Sequence, residues 1–196
     1  MSHPDPLLPE LQRLVVDLSL IDRRHYLPGT QRRENDIEHS TSVAVLCWYI
    51  HDKYSLDLDI AKILKYALTH DFVERYAGDV STFASAAERD QKTVQEQASL
   101  DRLSEEFHEF DGLVSSMKTY EAKSDEEALF VWSVDKMQHL VMGDLDDWKA
   151  YREASITYDQ FVAKYTELSS KSSPYSREIF DGLIAYSTTT YYDQPA

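Results

Sequence analysis

Residues 60–79 read IAKILKYALTHDFVERYAGD, and the reading of this stretch decides the fold. Ile63, Leu64, Ala67 and Leu68 recur at the three- and four-residue spacing of an amphipathic helix, predicted over about Asp59–Phe72. The same helix carries two ionisable groups onto its apolar side. His70 stands seven and three residues after Ile63 and Ala67, and Asp71 follows Leu64, Ala67 and Leu68. Gly78-Asp79 closes the segment. A carboxylate buried without a partner is strongly unfavourable, so this helix implies compensating groups elsewhere in the chain.

Two other helices repeat the pattern. Asn35 and Glu38 form a capping box that opens a helix running to about Lys53, and His39 lies on its stripe of Val43, Leu46 and Ile50. Ser124 and Glu127 form a second box, and Asp135 follows Ala128, Val131 and Trp132 on that helix. Two histidines and two aspartates are thus aimed inward. Taken singly, each has a plain structural reading as a hydrogen-bonded core residue, cap or ion-pair partner. Taken together, one divalent cation would satisfy all four. Nitrogen and oxygen donors without thiolate suit Mn, Fe, Co, Ni or Zn. Neighbours on a helix point about 100° apart, so His70 and Asp71 can share an ion only near a helix end or on an inward edge. Glu74 shares a face with Asp71 and places a carboxylate able to move a proton beside such an ion. A second His-Asp pair, His51-Asp52, lies at the polar end of its helix and reads as structural.

The remaining chain is helical in pattern. Leu7, Leu11, Leu14, Val15 and Leu18 draw a first stripe, Arg23–Arg33 reads as a loop, and residues 85–110 form a long polar helix. Thr157 with Gln160 opens another helix, and Ser173-Pro174 the last. The expected architecture is all-α, seven or eight helices in one domain over 1–196, with the chemistry in about 20–140 and C-terminal helices at about 157–187. Gly 5 and Pro 6 are too few for a many-stranded sandwich or barrel, and 42% hydrophobic residues are too many for a disordered acidic chain. A net charge of −15 argues against nucleic acid and anionic membranes as partners. The longest apolar run, Val43–Ile50, is far short of a membrane span. With the lone Cys47 and no signal-peptide pattern, a cytoplasmic location is expected.

The ordered set His39, His70-Asp71 and Asp135 resembles the His … His-Asp … Asp signature of the HD-domain metal-dependent phosphohydrolases. The stretches Glu34-Asn35, Glu38-His39-Ser40 and Val43-Ala44, then His70, Asp71, Glu74, Gly78, Asp79 and Thr82, then Asp135-Lys136, look most like the HD-domain 5′-deoxynucleotidases. The likeness covers roughly residues 20–140. It implies an HD-domain helical bundle in which His39, His70, Asp71 and Asp135 hold one divalent metal. Glu74 would serve as the acid/base carboxylate with Asp71 beside it in catalysis, and Asp79 and Thr82 would contact the nucleoside. An arginine about fifteen residues before the first histidine would hold phosphate, which selects Arg24, or Arg23 with a one-residue shift. His25 stands where these relatives carry tryptophan, and Ser81 where they carry proline, so the departures fall among the substrate contacts. A homodimer is the oligomer such relatives imply.

The arginines also have a reading of their own. Arg23, Arg24, Arg32 and Arg33 fall within eleven residues of an acidic chain, and a guanidinium fork suits a phosphate monoester. The leading expectation is a 5′-nucleotidase releasing phosphate from a small nucleotide, above all a deoxynucleoside monophosphate. Its alternatives are an HD hydrolase of another phosphate ester, such as ppGpp or a cyclic nucleotide, and a non-catalytic metal-binding helical module. A ferritin-like di-iron site is disfavoured, since Glu105-x-x-His108 has no second copy.

Overall fold

In the computed structural model, residues 5–78 and 82–193 are described. Helix α1 (Leu7–Leu18) turns Leu14 and Leu18 inward. A short antiparallel hairpin follows, β1 (Asp22–Tyr26) and β2 (Arg33–Asn35), with Asp22 opposite Asn35 and Tyr26 opposite Arg33. Reading Arg23–Arg33 as a loop is therefore corrected: its two ends are strands. The inward residues of β1 are Arg23 and His25, and that of β2 is Glu34. A strand whose buried side is polar carries no apolar alternation, which hid it from the sequence pattern.

Helix α2 (Asp36–Tyr54) starts at the expected capping box, with Asn35 Oδ1 accepting from the Glu38 amide and Glu38 Oε2 from that of Asn35. At its far end His51 bonds Asp52 and the Leu58 carbonyl, closing the turn into α3 (Ile60–Thr69) as a structural residue. Helix α3 ends at Thr69, short of the expected Phe72, and a turn leads to the single-turn α4 (Glu74–Ala77). Gly78 follows at φ 72°, a left-handed position that suits glycine. The polar helix α5 (Ala86–Glu106) has its own capping box, Ser85 with Glu88, and α6 (Asp111–Ala122) follows.

Helix α7 (Glu126–Leu145) is capped by Asp125 in place of the expected Ser124. Glu127 is not spent on a box; its Oε1 accepts from the Asp59 amide at 3.0 Å and ties α7 to the start of α3. After the short α8 (Lys149–Glu153), α9 (Tyr158–Ser170) opens at the Thr157–Gln160 box as expected. The last helix, α10 (Arg177–Thr190), begins after Ser176 and not at Ser173-Pro174. The Ser173 amide there is bound to Ser133 Oγ of α7 at 2.9 Å, which pins the preceding turn. The described residues thus hold eight longer helices, the two short ones and one hairpin, an all-α architecture in which the hairpin is a local addition.

Two apolar cores share the interior. The larger joins α2, α3, α7, α9 and α10 through Val43, Cys47, Ile63, Val131, Phe161 and Phe180. The smaller joins α1, α5 and α6 through Leu14, Leu18, Leu103, Phe107 and Met117, with Val73. Ala67 belongs to the first and Val73 to the second, so His70 and Asp71 fall at the seam. Among the described residues no helix is long and apolar enough to cross a membrane.

Candidate metal centre

Three elements deliver the inward-aimed residues to one place: α2 brings His39, the end of α3 brings His70 and Asp71, and α7 brings Asp135. Because α3 stops at Thr69, Asp71 leaves the helical step and its Oδ2 lies 3.2 Å from His70 Nε2 and 3.6 Å from His39 Nε2. Asp135 Oδ1 lies 3.0 Å from His39 Nε2. Ligand atoms of His39, His70 and Asp135 all fall within 4.8 Å of one another, and the three side chains are buried.

The donor set fits a cation. His70 donates from Nδ1 to the Ala67 carbonyl at 2.8 Å, which leaves Nε2 as the nitrogen that faces the cluster. That Nε2 is buried and makes no hydrogen bond among the described residues. His39 Nδ1 faces Glu34 Oε2 at 3.5 Å, and Gln138 donates to the other oxygen of Glu34 at 3.0 Å, a carboxylate backing the imidazole from behind.

Electrostatics hold the carboxylates ionised. Burial opposes charge on Asp71, yet His70, Arg23 and His39 together hold it well below the usual carboxylate range. Burial likewise opposes charge on Asp135, and Lys136 and His39 outweigh it; Lys136 Nζ sits 2.7 Å from Oδ2. His39 is disfavoured as a cation by burial and by Arg23, but Asp135, Glu34 and Asp71 prevail and raise it to about 8. His139 is driven well down by burial despite Asp135.

Beside the centre, Arg23 is buried at 7% exposure and sits among three carboxylates: Asp71 at 2.6 Å, Asp36 at 3.2 Å and Glu74 at 3.7 Å. Glu74, buried too, also faces Lys92 Nζ of α5 at 3.6 Å. Arg24, one strand position on, is exposed at the rim of the same cleft. Thr82 Oγ1 lies 3.5 Å from His139 Nδ1; Asp79 and Ser81 lie outside the described residues. Sequence reasoning gave no site role to Lys92, Lys136, His139, Asp36 or Gln138. His139 stands four residues after Asp135 on one helical face, a signal that was there to use. Lys92, in a uniformly polar helix, carried none. Glu105 lies outside the cluster, and His108 is exposed.

A cleft of about 360 Å³ opens onto this group. Five cations (Arg23, Arg24, Arg33, Lys92, Lys136) line it against four carboxylates (Asp71, Glu74, Asp135, Glu153). A run of ring contacts leads from the buried His/Asp group to the cleft wall, which His139, His25, Tyr151 and Phe83 line. From His70 to His39 the centroids are 5.2 Å apart, then 5.7 Å to His139 and 5.4 Å to His25. A further 5.4 Å reaches Tyr151, and 5.9 Å more reaches Phe83. One end of the run is the His/Asp group and the other is aromatic and apolar.

Comparison with solved structures gives the same fold twice. A predicted metal-dependent phosphohydrolase from Magnetospirillum magnetotacticum MS-1 superposes with a TM-score of 0.75 at 23% identity, covering 96% of this chain and 98% of its own. A conserved hypothetical protein from Pyrococcus furiosus gives 0.57 at 19% identity, over 89% and 98%. No curated protein matches the chain by sequence. The HD-domain family matches residues 17–175, a span that contains His39, His70-Asp71 and Asp135 in order, and the chain belongs to that family.

Proposed function

We propose that this chain is a metal-dependent phosphohydrolase acting on nucleoside 5′-monophosphates, ribo or deoxy, and releasing the nucleoside and inorganic phosphate. The observation that carries this reading is the polarity of the cleft. Arg23, Lys92 and Lys136 line it together with Asp71 and Asp135, while Phe83, Tyr151 and Tyr165, with Phe83 5.9 Å from Tyr151 and 6.2 Å from Tyr165, give it an aromatic surface. A phosphate beside the cations and a base against the rings match that lining. The volume of about 360 Å³ is near the lower limit of small-molecule sites, about 300–1,000 Å³, and suits one mononucleotide. Family membership and the likeness to a protein described as a predicted metal-dependent phosphohydrolase agree with it.

His39, His70, Asp71 and Asp135 would hold the divalent ion, which when bound lowers the pKa of a water and neutralises charge on phosphoryl oxygens. Arg23 presents a guanidinium at the cleft wall, where it can grip phosphate oxygens while still neutralising Asp36 and Asp71. Glu74, between Arg23 and Lys92, is placed to take a proton from the attacking water and return it to the leaving 5′-oxygen. Lys136 holds one oxygen of Asp135 and leaves the other toward His39.

The test is a screen of purified protein with Mn, Co, Fe, Ni or Zn over nucleoside mono-, di- and triphosphates, cyclic nucleotides and ppGpp. Inorganic phosphate from monophosphates is the expected product. Pyrophosphate from larger nucleotides, ring opening of cyclic ones, or no product with any metal would overturn the reading.

A further inference from the structure

We propose that the outward face of α2 and α3 is a homodimer interface, covered by the same face of a second copy about a twofold axis. This goes beyond the nucleotidase reading and does not depend on it. Val45, Trp48, Tyr49 and Tyr54 on α2 and Leu68 on α3 are each about half exposed, from 49% to 58%. Val45, Trp48 and Tyr49 share the side of α2 that faces away from the buried Val43, Cys47 and Ile50. The two helices run antiparallel, side by side. At one end His51 meets the Leu58 carbonyl at 3.1 Å, and at the other the rings of His39 and His70 lie 5.2 Å apart. Leu68 therefore falls level with Thr41, one turn from Val45, and carries the apolar strip onto the second helix.

The polar atoms of the strip are already satisfied within it. Trp48 Nε1 donates to Asp52 Oδ2 at 2.9 Å, and Lys53 Nζ donates to the Tyr49 hydroxyl at 2.9 Å. The same ammonium lies 5.2 Å from the centre of the Tyr49 ring and 5.6 Å from that of Tyr54. What the strip offers a partner is ring and aliphatic surface, and the local bonds hold Trp48 and Tyr49 in place before contact. Tryptophan and tyrosine are also the residues that carry most of the binding energy at interfaces.

Extent and charge select a second copy. With whole aromatic side chains at about 150–250 Å², these five half-exposed residues present roughly 450 Å² of mostly apolar surface. A standard interface covers about 800 Å² on each partner, and that of a homodimer is about 65% apolar, so the strip supplies most of the apolar share. Patches of this size on soluble chains mark association sites. A chain of net charge −15 repels its own copies over most of its surface. The exposed charges on α2 and α3 are Asp52, Lys53, Lys62 and Lys65, and Lys62 is turned to Asp125 and Glu127. Such a face lacks the acidic surplus, so two copies can meet there, and a closed twofold pair buries both strips at once. The inner sides of the same helices hold His39 and His70, which pairing would brace from outside.

The experiment is sedimentation velocity with light scattering on the full chain over about 1–100 µM, the weak end of what interfaces of this size show. The expected mass is twice the 22.7 kDa of the chain, with a thermal midpoint that rises with protein concentration. Trp48→Glu should raise the dissociation constant at least about thirtyfold, the scale of one interface hot spot. Leu68→Lys, on the other helix, should weaken the dimer too, and it decides the matter if Trp48→Glu fails to fold. Val94→Glu, at a solitary exposed position of α5, should leave the dimer unchanged. A wild type that stays monomeric at the highest concentration overturns the proposal, whether it stays free or binds phosphatidylcholine vesicles. So does a dimer that both Trp48→Glu and Leu68→Lys leave intact, since its interface then lies on another face.

Discussion

Asp71 answers to two neighbours at once, since its Oδ2 accepts from Arg23 at 2.6 Å and faces His70 Nε2 at 3.2 Å. Removing it should therefore do more than delete one ligand. Asp71→Ala is expected to lose bound metal and turnover together, and with them the rise in thermal midpoint that a native-state ligand confers. Glu74→Gln should keep the metal and lose about 10²–10⁴ in kcat, because only the proton step is touched. Metal content and initial rates on the same preparations separate the two, and retained activity in Asp71→Ala would sink the ligand set. Arg23 and Arg24 make a second contrast. Arg23→Ala leaves Asp36, Asp71 and Glu74 crowded around a missing cation, and a cost of about 3–5 kcal/mol is expected in urea denaturation. Arg24 is exposed, and its replacement by Ala should stay within about 0.5 kcal/mol. Counting back from His39 cannot tell these arginines apart; the parity of a strand does.

That parity belongs to the elements, where the sequence is legible to different depths. Asn35–Glu38 and Thr157–Gln160 were readable as caps because they rest on local backbone chemistry. Ser124–Glu127 had the same form and misled, since Glu127 serves a distant amide, that of Asp59. His39, His70, Asp71 and Asp135 could be found because each interrupts an apolar stripe. The hairpin and Lys92 could not, because their buried sides are polar and no stripe exists to interrupt. A different blind spot lies at the junction of α7 and α8. Trp148 sits there at φ 56° and 1% exposure, folded back over Gly143, where a Cβ would stand 2.5 Å from its ring and 3.0 Å from Tyr151. Both rings are buried in the larger core and have little room to yield. Gly143→Ala is expected to cost about 1–3 kcal/mol, seen as a lower urea midpoint with unchanged slope. An unshifted midpoint would mean that the indole moves freely.

Over the whole molecule, a charge of −15 coexists with a cleft in which lining cations outnumber carboxylates, so total charge is a poor guide to a small anionic substrate. The surplus of acid should instead appear in how stability varies with pH. Glu121 on α6 is pushed up to about 7 from 4.5, by burial first and by the charge of Glu96 next. Its folded value exceeds its unfolded one, so its contribution is complete below about 4.5 and is lost as pH rises through about 7. His25 runs the other way. Lowered to about 3 from 6.5, it contributes fully above 6.5 and loses that contribution as pH falls toward 3, and Asp71 and Asp135 reinforce this acid limb. Between about 4.5 and 6.5 the slopes of His25 and Glu121 cancel and that of His139, likewise lowered by burial, remains, so stability should rise with pH there; above 6.5 His39, raised to about 8, joins Glu121, and stability should decline through about pH 8. Thermal midpoints of chelator-treated protein should trace this shape. Glu121→Gln should steepen the rise below pH 6.5 and reduce the alkaline decline to the part that His39 contributes, while leaving the acid limb in place. If Glu121→Gln declines as the wild type does, the alkaline loss beyond the part of His39 comes from the diffuse repulsion of the acidic surface, and added salt should then restore it in both proteins.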